Sequence, residues 1–406
     1  MKKLVLSLAI LAISFTACTS SDDETTPVIP PPVAGSGEIT GDLTTSKTFI
    51  KGTYSLKGIA KVKSGVTITF DAGSLITAGK ADGLDVLLVE KGGKIIINGT
   101  AAEPVVFTAD VKESGSWGGI VIYGDAPIVP SASGTTAVSE DGTTTTYGGL
   151  NATDNSGSLK YVRVEYAGAK IADGTKELNG FSFYAVGSGT VLESLVSYKG
   201  NDDGYEFYGG TVSASNLISY GNADDSFDWQ DGWRGQNNSN WYAYQVGTGN
   251  FGMEIEAKGV NNSFFPTVTG ITLRRAAGTA TEGGASALEF DAIQFKKQGN
   301  GTYTNVIISG YTTAGATAVR IQDNATKNDQ VATGKIKLLN VKINDGTSQF
   351  YGVDASAAGV TPVVAAVTPV FDPLNYTLIT TGTGTGATLV AGAWAVVNGV
   401  NLLSNL

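Results

Sequence analysis

Six short segments of this 406-residue chain hold a polar or charged residue between two large apolar ones. They are Phe181-Ser182-Phe183, Tyr205-Glu206-Phe207, Phe227-Asp228-Trp229, Met253-Glu254-Ile255, Leu288-Glu289-Phe290 and Val319-Arg320-Ile321. Such alternation turns the apolar pair to one face of a β-strand and the middle residue to the other. The middle residues are 24, 22, 26, 35 and 31 positions apart, each about one coil of a stacked β-solenoid. Stacked at the interstrand spacing of about 4.8 Å, Glu206, Asp228, Glu254 and Glu289 form an outward column of carboxylates with Arg320 at one end. Like charges that close are costly unless neutralised, so the column marks a candidate site.

The repeat is clearest where Ser197 to Phe207 is laid over Ser219 to Trp229 at an offset of 22. Ser197, Tyr198, Asp202 and Asp203 then meet Ser219, Tyr220, Asp224 and Asp225, and Glu206 meets Asp228. Short alternating runs separated by Gly, Asn and Asp recur along the chain, from Val66-Thr67-Ile68-Thr69-Phe70 to Ile336–Ile343, without helical periodicity. A fixed period made of strands alone predicts an all-β chain, a single right-handed parallel β-helix over residues 38–352. A β-sandwich or propeller is the alternative, but a sandwich wants hairpins between consecutive strands. The Ala-, Val-, Gly- and Thr-rich tail 353–406 is expected to cap the last coil, since open strand edges invite pairing.

The stretch Gly65 to Thr108, with Gly73-Ser74-Leu75-Ile76 and Asn98-Gly99-Thr100-Ala101-Ala102-Glu103-Pro104, resembles the opening coils of bacterial surface β-helix proteins. Ser116-Trp117-Gly118-Gly119-Ile120 and Asp224 to Trp229 carry the same resemblance. It covers roughly residues 40–350 and implies the pectate-lyase-like fold rather than an activity.

At the N-terminus, Lys2 and Lys3 precede an apolar run from Leu4 to Ala17, the charge order of a secretory leader and too short to span a bilayer. Phe15-Thr16-Ala17-Cys18 resembles the lipobox of bacterial lipoproteins. The resemblance implies that 1–17 is removed and that Cys18, the only cysteine, carries the lipid anchor. Thr19-Ser20-Ser21-Asp22-Asp23-Glu24 is similar to the surface-export signal of Bacteroidetes lipoproteins. That implies a protein facing outward from the outer membrane; the alternative is a solvated start to a linker. Residues 18–37, acidic and then rich in Pro, read as a semi-rigid tether.

The precursor has 27 basic and 37 acidic residues; loss of Lys2 and Lys3 leaves a net charge of −12. Nucleic acid is therefore not an expected partner, whereas divalent cations and neutral sugars are compatible. The absence of histidine excludes a histidine base, a His-zinc site and Ser-His or Cys-His nucleophiles.

Asp202, Asp203, Glu206, Asp224, Asp225 and Asp228 fall in two adjacent coils, an all-oxygen set suited to Ca²⁺. The alternative is that the turn aspartates cap backbone amides while Lys or Arg pairs with the column. Trp233 and Trp241, in a Gly/Asn-rich loop with Arg234, offer flat rings for a sugar beside Glu254, Glu289 and Arg320; the alternative is that both rings pack inward. Gly200-Asn201-Asp202-Asp203-Gly204 is similar to the paired-aspartate element of β-helical polygalacturonases, but that family's histidine motif is absent and Arg320-Ile321-Gln322 lacks its lysine. The expectation is a non-catalytic glycan-binding or adhesion protein. The alternatives are a calcium-dependent polysaccharide lyase or hydrolase and a structural partner of another outer-membrane protein.

Overall fold

A computed structural model describes residues 34–80, 83–129, 135–171, 176–262, 265–282, 284, 289–345, 347–355 and 384–406. The leader 1–17, Cys18 and the tether as far as residue 33 lie outside the described residues, as do Leu288 and residues 356–383.

Twenty-three of the described strands join one sheet, and successive coils pair in parallel, as Phe181–Tyr184 does with Tyr205–Tyr208 and that with Phe227–Gln230. The chain is a right-handed parallel β-helix whose strands run from Gly35–Leu43 to Ser348–Ala355. No described helix is long and apolar enough to cross a membrane.

The coil has three walls. In the early coils Lys94–Asn98 and Val105–Ala109 are separate strands, and both pair with the single long strand Gly157–Glu165. From there on, one bent strand per coil builds two walls. Its bend falls at Tyr161, Ser194, Asn216, Asn240, Gly270, Asn305 and Asn340, all with φ between 49° and 76°. Asn and Gly dominate this column because they tolerate left-handed backbone best. The third wall carries the apolar–polar–apolar triplets.

The core is the column of inward side chains. Phe181, Tyr205 and Phe227 stack at centroid spacings of 5.2 and 5.5 Å; in the first coils Phe49 stacks on Phe70 at 4.8 Å, and Phe70 meets Phe107 edge-on at 5.3 Å. Each coil exposes apolar surface until the next covers it, so stacking supplies the hydrophobic stabilisation.

The described part of the tail, 384–406, is not a lid on the last coil. It runs back along the outside of the bend as a strap. Thr385 N–H donates to Asn305 Oδ1 at 2.7 Å, Ala387 N–H to Thr272 Oγ1 at 3.0 Å and Thr388 N–H to Asn240 Oδ1 at 3.2 Å. Further along, Arg163 Nη1 donates to Val396 O at 2.6 Å, and Trp394 N–H to Ala101 O at 3.2 Å. The outward side chains Val196, Ile218 and Tyr242 are fully buried on this flank, which explains why an apolar tail lies there: it covers surface the coils leave bare.

A carboxylate cleft on the third wall

In the third-wall strands, the first and third triplet residues point inward and are buried, from Phe181 and Phe183 to Val319 and Ile321. The middle residues stand in register as Ser182, Glu206, Asp228, Glu254, Gln294 and Arg320. Glu206, Asp228 and Glu254 thus share one column, but Glu289 does not. Its place is taken by Gln294, because the rung is Ile293–Phe295. Glu289 instead borders a neighbouring hollow with Asp224, Asn250, Glu254 and Lys296.

The outward carboxylates Glu206 and Asp228 are nevertheless buried. An insertion after Ile120–Tyr123, carrying the antiparallel pair Ala137–Val138 and Thr146–Tyr147, folds over this wall. Tyr147 packs on Tyr184 at 4.9 Å, and Tyr123, Tyr184 and Tyr208 stack at 5.0 and 3.9 Å. Glu206 and Asp228 keep 6% and 7% of their surface. They border a cleft of about 480 Å³ with Glu140, Asp202, Asp203 and Lys296.

Glu206 accepts from Asn179 Nδ2 at 2.7 Å, from Gln230 Nε2 at 2.9 Å and from the Tyr208 hydroxyl. Burial, with Glu140 nearby, still pushes its carboxyl up to about 8. Asp224 is pushed up to about 7 by burial and then by Glu254, against a hydrogen bond from Asn250. Burial raises Asp202, Asp203, Asp225 and Asp228 as well, helped by neighbouring carboxylates, chiefly Asp224, Asp202, Asp224 and Glu206 respectively.

The turn aspartates have a structural task. Asp203 Oδ1 accepts the backbone N–H of Asp225 at 2.9 Å, and Asp225 Oδ1 accepts that of Phe251 at 2.6 Å. Asp291 repeats this with Thr317 at 2.7 Å. Lys296 pairs with Glu254 and lies 3.6 Å from Glu256, which Lys297 reaches at 2.8 Å. Burial opposes the charge of Lys296, but Glu254 and Glu256 more than offset it and raise its pKa.

Carboxylate oxygens of Asp203, Glu206 and Asp228 lie within 4.8 Å of one another, as do those of Asp202, Asp203 and Asp224. Asp228 Oδ1 is buried without a hydrogen-bond donor. An all-oxygen donor set with one orphaned buried acceptor fits a hard cation such as Ca²⁺. Asp203, Glu206 and Asp228 would hold it, with Asp202 and Asp224 beside them, while Asp225 belongs to the turn stack.

The other sequence candidates are placed differently. Trp233 and Trp241 are interior, at 1% and 0% exposed; they stack with Phe207 at 4.6 and 6.0 Å and offer no open face to a sugar. Trp241 is strand, not loop, in register with Leu217 and Ile271. Arg234 lies away from the cleft, bordering a separate cavity with Gln236 and Phe265. Arg320 stands in the column but is buried against Asp291 in an ion pair, not presented to a ligand. Sequence reasoning missed Glu140, Asn179 and Gln230. Asn179 carries a signal, standing three residues before Ser182 as Asp203 and Asp225 stand before Glu206 and Asp228. Glu140, in the insertion, carries none.

No curated protein and no solved structure matches the chain. The sequence pattern of one family does, over residues 37–396. With that match spanning most of the chain and a parallel solenoid beneath it, the chain belongs to the pectate-lyase-like β-helix domains.

Proposed function

We propose that this chain is a non-catalytic, lipid-anchored surface protein that binds a divalent cation in the carboxylate cleft and, with it, an extracellular glycan. The observation that carries the reading is the buried, donorless Oδ1 of Asp228 facing the carboxylates of Asp203 and Glu206. A cation relieves their mutual repulsion and supplies the missing partner. The bound ion, with Lys296 and Lys297 on the rim, lets hydroxyl or carboxylate oxygens of a sugar approach an otherwise repelling wall. The anchor at Cys18 and an outward-facing position on the outer membrane complete the proposal.

Calorimetry of the purified protein with CaCl₂ tests the cation: heat and thermal stabilisation are expected, and both are lost in Asp228→Asn. Neither signal in the unsubstituted protein ends the reading. Fatty-acid labelling lost in Cys18→Ala tests the anchor.

A second reading is a polysaccharide hydrolase. Glu206, held up to about 8, and Asp228, raised by burial and by Glu206, set two carboxyl groups side by side, the pair a glycosidase needs. New reducing ends from a polysaccharide panel, abolished by Glu206→Gln, would favour it over binding.

A further inference from the structure

Across the turns that carry Asp202 and Asp224 lies a second groove, which the cleft residues do not line. The bent strands Val191–Tyr198, Ala214–Tyr220 and Asn238–Gln245 place Tyr198, Tyr220 and Tyr244 in register. Their neighbouring rings are 5.7 and 5.1 Å apart. Lys199 follows Tyr198 in left-handed backbone, φ 52°, and its Nζ sits 5.4 Å from the Tyr198 ring centroid. Gly221 takes the same place one coil on and leaves the wall bare. The opposite rim is Val400 of the C-terminal strap, 45% exposed.

The groove measures about 520 Å³ and is bordered by Tyr198, Lys199, Asn201, Tyr220, Val246 and Val400, among others. Among the described residues no Asp or Glu borders it and Lys199 is its one charged side chain, in a chain of net charge −10. Burial raises the Tyr198 and Tyr220 phenols, so both remain hydroxyls near neutral pH. Phenol, ammonium and amide groups over an apolar wall are what hydroxyl-rich ligands require. A polycation would be drawn to the adjacent acidic cleft instead, and a polyanion would be repelled by it. The groove follows the solenoid axis over three coils, about 10 Å at the strand spacing, which suits a linear polymer.

We propose that the groove bordered by Tyr198 and Tyr220 and rimmed by Lys199 and Val400 is a second binding site, for a neutral polysaccharide laid along the solenoid axis. It needs no cation and stands apart from the carboxylate cleft.

Affinity electrophoresis of the full chain through gels holding a neutral β-glucan, mannan or xylan, all with chelator present, tests it. Retardation by at least one of these is expected, unchanged in Asp228→Asn. Ala223→Trp, which fills the groove from its turn, and Tyr220→Ala should each weaken it about tenfold or more, with circular dichroism confirming the fold. No retardation by any of the three, or retardation that survives Ala223→Trp and Tyr220→Ala in folded protein, overturns the site. Retardation that requires calcium and disappears in Asp228→Asn also overturns it and assigns sugar binding to the cleft.

Discussion

Asp203 and Asp225 occupy the same turn position one coil apart, and the carboxylate of the first accepts the backbone N–H of the second at 2.9 Å. Asp225 passes the same bond on to Phe251. These bonds close N–H groups that the sheet leaves open at the corner. Asp225→Ala leaves the Phe251 N–H buried without an acceptor and should cost about 1–3 kcal/mol, read as a lower urea midpoint. Asp225→Asn keeps an acceptor and should recover most of the loss. Equal losses in both variants would show that the charge, not the acceptor, matters.

Stability should fall with rising pH in the cation-free protein. Glu206 is held up to about 8 from an ordinary 4.5, and Asp224 to about 7 from 3.8. Across those windows the folded state keeps protons that the unfolded state has released, so the unfolded state gains relative stability as pH rises. In chelator, the melting temperature should be lower at pH 8 than at pH 5, and Glu206→Gln should flatten the difference. Calcium should restore stability at pH 8 more than at pH 5. A melting temperature that climbs over this range in chelator would contradict the assignment.

Arg320 and Asp291 form a buried ion pair in which Asp291 also accepts from the Thr317 N–H and hydroxyl. Arg320→Met strands the carboxylate and should cost about 3–5 kcal/mol in chemical denaturation. The double variant with Asp291→Asn should lose less than Arg320→Met alone.

Trp394 holds the strap. It is 3% exposed and meets Tyr161 edge-on at 5.9 Å. Trp394→Ala should remove about 3–5 kcal/mol of packing and make the strap the first site cut in limited proteolysis. Cleavage elsewhere before the strap would argue that it adds little to the flank.

Trp241→Ala should lower the melting temperature of the protein rather than its glycan retention, because the ring lies between Phe227 and Trp233 at 4.9 and 5.9 Å. A folded variant with weakened retention would return this residue to the binding surface.

The solenoid was legible because strand alternation and a 22-residue repeat are local signals that stacking preserves. Glu206, Asp228 and Glu254 were placed by the same signal. Glu289 was misplaced because Leu288-Glu289-Phe290 and Ile293-Gln294-Phe295 alternate equally well five residues apart. Hydrophobicity cannot choose between them; the turn aspartate can, since Asp291 precedes Gln294 by three as Asp225 precedes Asp228. Trp233 and Trp241 misled for another reason. Gly and Asn around them mark the turn and the bend of the strand, and turn chemistry says nothing about which way a neighbouring ring points. Burial of the outward carboxylates depends on an insertion that shares no period with the coils, so no repeat could announce it.

The strap brings Arg163 and Ala393 together across 230 positions of chain. Stacking alone lets a solenoid assemble progressively, each coil templating the next. Here the flank stays open until residues 384–406 have been synthesised, and loop closure over such a distance slows that step. Any folding that begins before that stretch is made therefore leaves Val196, Ile218 and Tyr242 without their cover.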